Sequence, residues 1–290
     1  MRLLRIFVIF AEIIMVKTAK KMILLADGGS TKVDWVLRDG DVFVEKCTTV
    51  GLNPVHVSEQ DIERVLEELV SEHVDMHHVS AVEFYGSGCM SHPAAKMKCC
   101  LHRVFGETVD VVVGSDIIGA AKAVCGDSEG IACILGTGAN SCLWNGEEII
   151  SQTPALGYVL GDEGSGAVLG KLFINALYKN PLLKELRLEF EREFSIDMMG
   201  VIENVYSNPL PNRWLASLSP FVCKHLDNSI VADIVTENIS AFFEKNILPY
   251  NRLDLPVSFV GSIAFYYENQ LRRVAEKYGM KIGCIKKSPL

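Results

Sequence analysis

The apolar positions of the chain become regular at Met22. "MILLAD" is an unbroken apolar run closed by Asp27, whereas the next stretch, "KVDWVLRDG", alternates. An unbroken run fits a strand buried on both faces, and alternation fits a strand with one wet face. The Asp39-Gly40 pair signals a hairpin into "DVFVEKCTT", so residues 22–49 read as three strands. "GLNPVHV" is a loop. In "SEQDIERVLEELVSE" the residues Ile62, Val65, Leu66 and Leu69 recur at helical spacing, with Ser58 placed as N-cap. "AVEFYGSG" is a strand ending in glycines, "PAAKMKCCLHRVFG" a helix and "TVDVVVGSD" another buried strand. "IIGAAKAVCG" is a helix whose small residues suit close packing.

A second set follows. "GIACILGTGANSCLWNGEEII" reads as strand, glycine turn, strand, turn, strand, which echoes residues 22–49. "LGDEGSGAVLGKLFINALYKN" is a glycine loop entering a helix, and residues 181–250 read mostly as helices. "LPVSFVGSIAFYYENQLRRVAEKYG" is strand, glycine turn, helix. Strands and helices therefore alternate through two strand-rich halves, which argues an α/β architecture, and a cleft between such halves is a natural ligand site.

Composition narrows the partners. The chain has 290 residues, 49% of them hydrophobic, which is ample for a packed core. A net charge of −8 gives no attraction to polyanions, so nucleic acid is not expected as a partner. Nine cysteines are scattered without a C-x-x-C pair, and the count is odd. That pattern reads as reduced thiols in a cytoplasmic protein. The adjacent Cys99-Cys100 pair has no His/Cys partner at ligand spacing, and the histidines His56, His73, His77, His78 and His92 show no ligand pattern. Trp35, Trp144 and Trp214 read as packing groups. The opening "MRLLRIFVIFAEIIMVKTAKK" has a basic start and an apolar stretch, but Glu12 interrupts it and it is too short to span a bilayer, so no membrane role is expected. The expectation is that Met22 is the natural start and residues 1–21 are an upstream extension.

Five motifs in order carry a family resemblance. "DGGSTKVDW" resembles the first phosphate motif of the actin/hexokinase/heat-shock-chaperone ATPase superfamily, "LGTGANS" its second, and "FVGSIAF" its adenosine motif. "VVVGSD" followed by "IIGAAKAV" resembles its first connecting segment, and "GDEGSGAVLG" is similar to the BadF/BadG/BcrA/BcrD-type group, which includes N-acetylglucosamine kinases. The resemblance spans residues 22–290. It implies two ribonuclease H-like (actin-like ATPase) domains, residues 22–117 and 118–290, with a nucleotide cleft between them, and a homodimer is expected on the same ground. Members often continue past the "SP" found here in "IKKSPL" with a further helix.

The motif residues have chemistry that suits this. Gly28 and Gly29 permit positive φ and close backbone approach, and their amides with the Ser30 and Thr31 hydroxyls can receive phosphate oxygens. Asp27 cannot meet a phosphate directly, since two anions repel; it makes sense with magnesium between them. A tight hairpin with a solvated Asp would use the same residues. Lys32 adds charge to the phosphates or is a solvated strand residue. In the second loop Gly136 and Gly138 flank Thr137, whose hydroxyl and backbone can hold the transferring phosphate, and Ala139 supplies no hydroxyl. Gly261 and Ser262 lie at a strand-to-helix turn where backbone can approach adenine or ribose. The resemblance makes Asp116 the catalytic base, a role compatible with capping the helix at Ile117. It makes Asp162 a sugar contact, with Glu163 beside it; helix capping is the other reading of that acidic pair. Asn53 can donate and accept toward a sugar, or close an Asx turn.

These expectations amount to an ATP- and Mg2+-dependent kinase of a small-molecule amino sugar, N-acetylglucosamine to its 6-phosphate first among them. Two other readings stay open. One is the ATPase activator of a radical dehydratase, for which Cys125 and Cys142 fall in suitable regions although a "GTGRF"-type segment is absent. The other is a non-catalytic nucleotide or sugar sensor.

Overall fold

The computed structural model describes residues 22–29, 32–40, 42–73 and 79–290. The segment 1–21, expected above as an extension, lies outside them, as do Ser30, Thr31, His77 and His78. The chain divides into two compact units, one closing at Gly119 and the other running from Ala120 to Pro289.

The first unit is built on a five-stranded sheet in the order β3-β2-β1-β4-β5. Its strands are β1 (Met22–Gly28), β2 (Lys32–Asp39), β3 (Val42–Val50), β4 (Val79–Gly86) and β5 (Asp110–Ser115). The first three form an antiparallel meander, and β4 and β5 run parallel to β1. One sheet face carries Leu24, Ala26, Trp35, Val82 and Phe84 into a core with α1 (Glu59–His73) and α2 (Ser91–Phe105). The helical spacing read from the sequence is the reason α1 docks there: Ile62, Val65, Leu66 and Leu69 are its buried stripe. Ser58 caps it, its Oγ accepting from the Asp61 amide at 3.2 Å. The helix α3 (Asp116–Cys125) starts where β5 stops.

Two burial expectations reverse. The unbroken run of β1 buries only alternate residues, Leu24, Ala26 and Gly28. The alternating β2 is buried without a break from Val33 to Leu37. Strands β1 and β3 flank it on both edges, and Asp34, bonded to Lys32 and to Thr48 of β3, is only 8% exposed.

The second unit repeats the plan. Its strands are β6 (Gly130–Leu135), β7 (Ala139–Trp144), β8 (Ile149–Ser151), β9 (Val257–Val260) and β10 (Ile282–Lys286), in the order β8-β7-β6-β9-β10. Again the first three are antiparallel and the last two parallel to the first, so strand for strand both sheets share one topology. The helices are α4 (Gly157–Leu160), α5 (Gly166–Lys179), α6 (Lys184–Glu193), α7 (Met198–Tyr206), α8 (Pro211–Ser217), α9 (Ser219–Lys224), α10 (Ser229–Phe242), α11 (Ser262–Tyr266) and α12 (Glu268–Lys277). A π-helical turn, Phe243–Ile247, extends α10. Phenylalanines 173, 190, 221, 242, 243 and 259 dominate this core. Neither β10 nor the π-helical turn was foreseen. The "KIGCIK" stretch holds one glycine and two lysines, and becomes a strand by pairing on β9.

All nine cysteines are free. Cys89, Cys100, Cys133 and Cys142 are buried, and burial pushes each thiol up: Cys89 and Cys142 to about 12, Cys100 to about 11. Trp35 and Trp144 are packed inside, as expected. Among the described residues, no helix is long and apolar enough to cross a membrane.

Candidate active site

In the first unit the sheet brings Asp27 and Asp116 to one end. Asp27 pairs with Tyr85 and Tyr85 with Gly114, so β1, β4 and β5 finish level, at Gly28, Gly86 and Ser115. Asp116 is the next residue. Open α/β sheets bind ligands outside the carboxyl ends of their parallel strands, and both carboxylates stand there. The glycines are required by crowding. A Cβ on Gly28 would lie 2.6 Å from the Phe84 ring, and one on Gly86 equally close. The sequence suggested positive φ at Gly28, but its backbone is not in that region; contact with Phe84 is the reason for glycine. The Gly28 carbonyl accepts from the Ser87 amide at 2.8 Å, which joins the turn to the "YGSG" strand end. Gly29 donates to the Lys32 carbonyl at 2.8 Å and so closes the turn.

Charge is unevenly distributed over this end. Asp34 faces Asp27 across the β1–β2 ladder. Burial raises the Asp34 pKa, but hydrogen bonds from the Lys32 ammonium, 2.6 Å away, and the Thr48 hydroxyl at 2.7 Å outweigh it and hold the group below the usual carboxylate range. Lys32 is thus paired with Asp34 while its side chain stays 59% exposed. Asp27 is pushed up to about 6, first by burial, then by the charges of Asp34 and Asp116, with Lys32 and Lys46 opposing only in part. A carboxylate beside two like charges is the donor chemistry that suits a divalent cation, so the residues present fit the magnesium expected from the sequence.

The same shift has a thermodynamic signature. Because the folded state binds the Asp27 proton more tightly than the unfolded chain, stability falls as pH rises from about 4 to about 6 and the cost is fully present above that. Asp27→Asn removes it and should raise metal-free stability at pH 7.5 by about 1–3 kcal/mol, discounted for partial exposure. Urea denaturation in EDTA at pH 4 and 7.5 checks this: the gain should vanish at the lower pH, and a loss at the higher one would contradict the charge assignment.

Asn53 adopts the Asx turn, its Oδ1 accepting from the Val55 amide at 3.0 Å. It also stands against the "YGSG" turn, since a Cβ on Gly88 would lie 2.3 Å from that oxygen. Cys89, the next residue, lies within electrostatic reach of Asp116. Asn53 and Asp116 therefore flank one turn. Asp116 Oδ1 accepts from the Ile117 amide at 2.8 Å, which gives it the local helix-starting role as well.

In the second unit three motifs meet at Gly136. The Gly136 amide donates to the Gly138 carbonyl at 3.0 Å, which folds the Gly136-Thr137-Gly138 loop. Its carbonyls in turn receive the first amides of α5, Gly166 to Gly136 at 2.8 Å and Ala167 to Thr137 at 3.1 Å. Thr137 is exposed at the tip. Gly261, at φ +123°, passes so near β6 that a Cβ would lie 2.3 Å from the Leu135 carbonyl oxygen, and Ser262 begins α11. Asp162 lies beside the loop: a Cβ on Gly138 would be 3.1 Å from its Oδ2. Its carboxylate takes amide hydrogens from Ala139 and Gly157, while burial and the Glu163 charge raise its pKa against them. For Glu163 burial is outweighed by the Lys245 ammonium at 2.8 Å and by Asn246, so it stays charged. Neither acid caps α5. Ser165 does, its Oγ accepting from the Val168 amide at 3.2 Å.

Two side chains near this loop were not singled out from the sequence. Asn140, one residue past Ala139, accepts from Gln152 Nε2 at 3.0 Å. The polar Asn238 lies in α10 among apolar positions. A lone asparagine in an apolar helical stripe is the signal that would have found the second.

Two such sheets, each opened by a strand–glycine turn–strand and each finished by parallel strands, define the actin-like ATPase fold. Comparison with solved structures places the chain further. A Porphyromonas gingivalis protein, provisionally titled an N-acetylglucosamine kinase, is 42% identical, with 92% of this chain and 95% of that one covered and a TM-score of 0.87. The chain belongs to the BadF/BadG/BcrA/BcrD-type family with N-acetylglucosamine kinase-like members. Two more distant structures share the fold: a Chromobacterium violaceum protein with the same provisional title (17% identity, 91% and 95% covered, TM-score 0.68) and a provisional sugar kinase from Cytophaga hutchinsonii (13%, 91% and 94%, 0.56). No protein-family model and no curated protein matches the chain.

Proposed function

We propose that the protein is an ATP-dependent kinase that phosphorylates the 6-hydroxyl of an amino sugar, N-acetylglucosamine being the first candidate. The observation that carries this is the full-length likeness, at 42% identity, to a chain bearing that provisional title. The groups present in each unit suit a division of labour. The Gly136–Gly138 loop would hold the nucleotide's phosphates, and Gly261 and Ser262 its adenosine. Asp27 would hold magnesium, which when bound offsets phosphate charge. Asp162 would accept hydrogen bonds from sugar hydroxyls. Asp116 would orient the acceptor hydroxyl and take its proton as the new oxygen–phosphorus bond forms and the bond to the departing diphosphate breaks.

Of the two cysteines that suited the dehydratase-activator reading, Cys142 is fully buried and Cys125 only partly, so the former is not available to a cluster at a surface. An ADP-release assay over a panel of hexosamines with Mg-ATP tests the kinase. N-acetylglucosamine should stimulate turnover, and mass spectrometry should find its 6-phosphate. Nucleotide binding with no sugar-stimulated ADP release would favour the sensor.

A further inference from the structure

The helix α10 buries Val231, Ile234, Val235, Asn238, Ile239 and Phe242 along one stripe. Five of these are apolar. Asn238 is 2% exposed, and a buried amide is tolerated only when its hydrogen bonds are made. It makes them with the backbone of another segment. Its Oδ1 accepts from the Gly164 amide at 2.9 Å, and its Nδ2 donates to the Ser165 carbonyl at 3.2 Å. Both groups belong to the irregular "GDEGSG" loop; the Ser165 carbonyl also accepts from the Leu169 amide of α5 at 3.0 Å, so the Gly164 amide is the group that depends on Asn238.

The loop so gripped has little other freedom. Asp162 is at φ +55°, an uncommon conformation for a residue with a side chain. Its carbonyl accepts from the Ser165 amide at 3.0 Å, which closes a turn between Asp162 and the two residues that Asn238 holds. Gly164 is at φ +81°, and a Cβ there would lie 2.8 Å from the Cβ of Phe242, one turn along from Asn238. The loop is therefore seated on α10 at Phe242 and clamped there at Asn238. The Asp162 carboxylate is fixed at its other end by the amides of Ala139 and Gly157.

We infer that Asn238 is a positioning residue for the sugar acceptor: it fixes the backbone turn that holds Asp162, without touching the substrate itself. This rests on the proposed kinase reading, in which Asp162 contacts the sugar. An apolar side chain would fill the same stripe but leave the Gly164 amide without its acceptor, so the asparagine answers to the loop rather than to the packing of α10.

Two variants separate the roles. Asn238→Asp keeps the acceptor for Gly164 but loses the donor to Ser165; Asn238→Leu loses both. The expected result is a KM for N-acetylglucosamine raised about 10- to 100-fold, more in the leucine variant, with the KM for ATP within about twofold of wild type. Calorimetric binding of N-acetylglucosamine without nucleotide should weaken in parallel. Amide exchange at Gly164 should quicken. A folded variant with an unchanged sugar KM, or one in which both KM values rise together, overturns the assignment. Should the leucine variant not fold, the aspartate variant carries the test by the same criteria. If wild type shows no sugar-stimulated turnover at all, the kinase reading fails by itself; the clamp then stands on exchange alone, and unchanged protection at Gly164 in the variants refutes it.

Discussion

Asp116→Asn should fold, bind nucleotide and sugar, and turn over about 10²–10⁴-fold more slowly than wild type. The substitution is chosen because it leaves the local structure its contact. Asp116 Oδ1 accepts from the Ile117 amide at 2.8 Å, and the asparagine carbonyl oxygen can accept the same hydrogen. What disappears is the negative charge able to take a proton from a hydroxyl. Asp116 is one of the charges acting on Asp27, so its neutralisation alters the field at the expected cation position as well, and the rates are therefore compared at saturating magnesium. Steady-state kinetics from ADP release, with both KM values, decide the matter: the fall should lie in kcat. A variant with wild-type kcat removes Asp116 from the chemistry.

Gly261→Ala is the second large effect, and it acts on the fold before it acts on the nucleotide. A φ of +123° costs an alanine roughly 1–3 kcal/mol. The added Cβ would also lie 2.3 Å from the Leu135 carbonyl oxygen and 3.2 Å from the Gly136 amide nitrogen. Those are backbone atoms of β6 and the Gly136 loop, so no rotamer change relieves the contact. Overpacking of this kind adds roughly 1–3 kcal/mol. A total loss of about 2–6 kcal/mol is expected from chemical denaturation. Because the displaced atoms begin the Gly136-Thr137-Gly138 loop, any folded fraction should bind ATP more weakly. A variant of unchanged stability would mean that β6 and β9 do not approach as described.

Much of this was legible before any coordinates. The strand–turn–strand openings at Asp27 and Gly136 were visible because glycines interrupt apolar runs at places where a strand must end. The stripe of α1 was readable because it is one-sided and its partner lies on a single face. Other features needed the tertiary arrangement. Asp34 reads as the wet side of an alternating strand, yet β3 covers it, and only Lys32 and Thr48 show how its charge is borne. Gly28 reads as a conformational glycine, but a ring from β4, distant in sequence, sets the requirement. Asn238 can be noticed as a lone amide in an apolar stripe, but what it holds cannot, because its partners are backbone groups and backbone leaves no residue code. The "GDEGSG" loop resembles an acidic helix cap, and the structure gives that task to Ser165.

The buried, proton-holding thiols turn the protein into its own opening reporter. Cys89 and Cys100 lie in the first unit and Cys133 and Cys142 in the second, each hidden and each poorly nucleophilic while native. An alkylating reagent can reach them only through transient exposure, so peptide-resolved labelling rates would time the breathing of each half separately. Nucleotide or sugar that tightened one half alone would slow two of these clocks and leave the other two running.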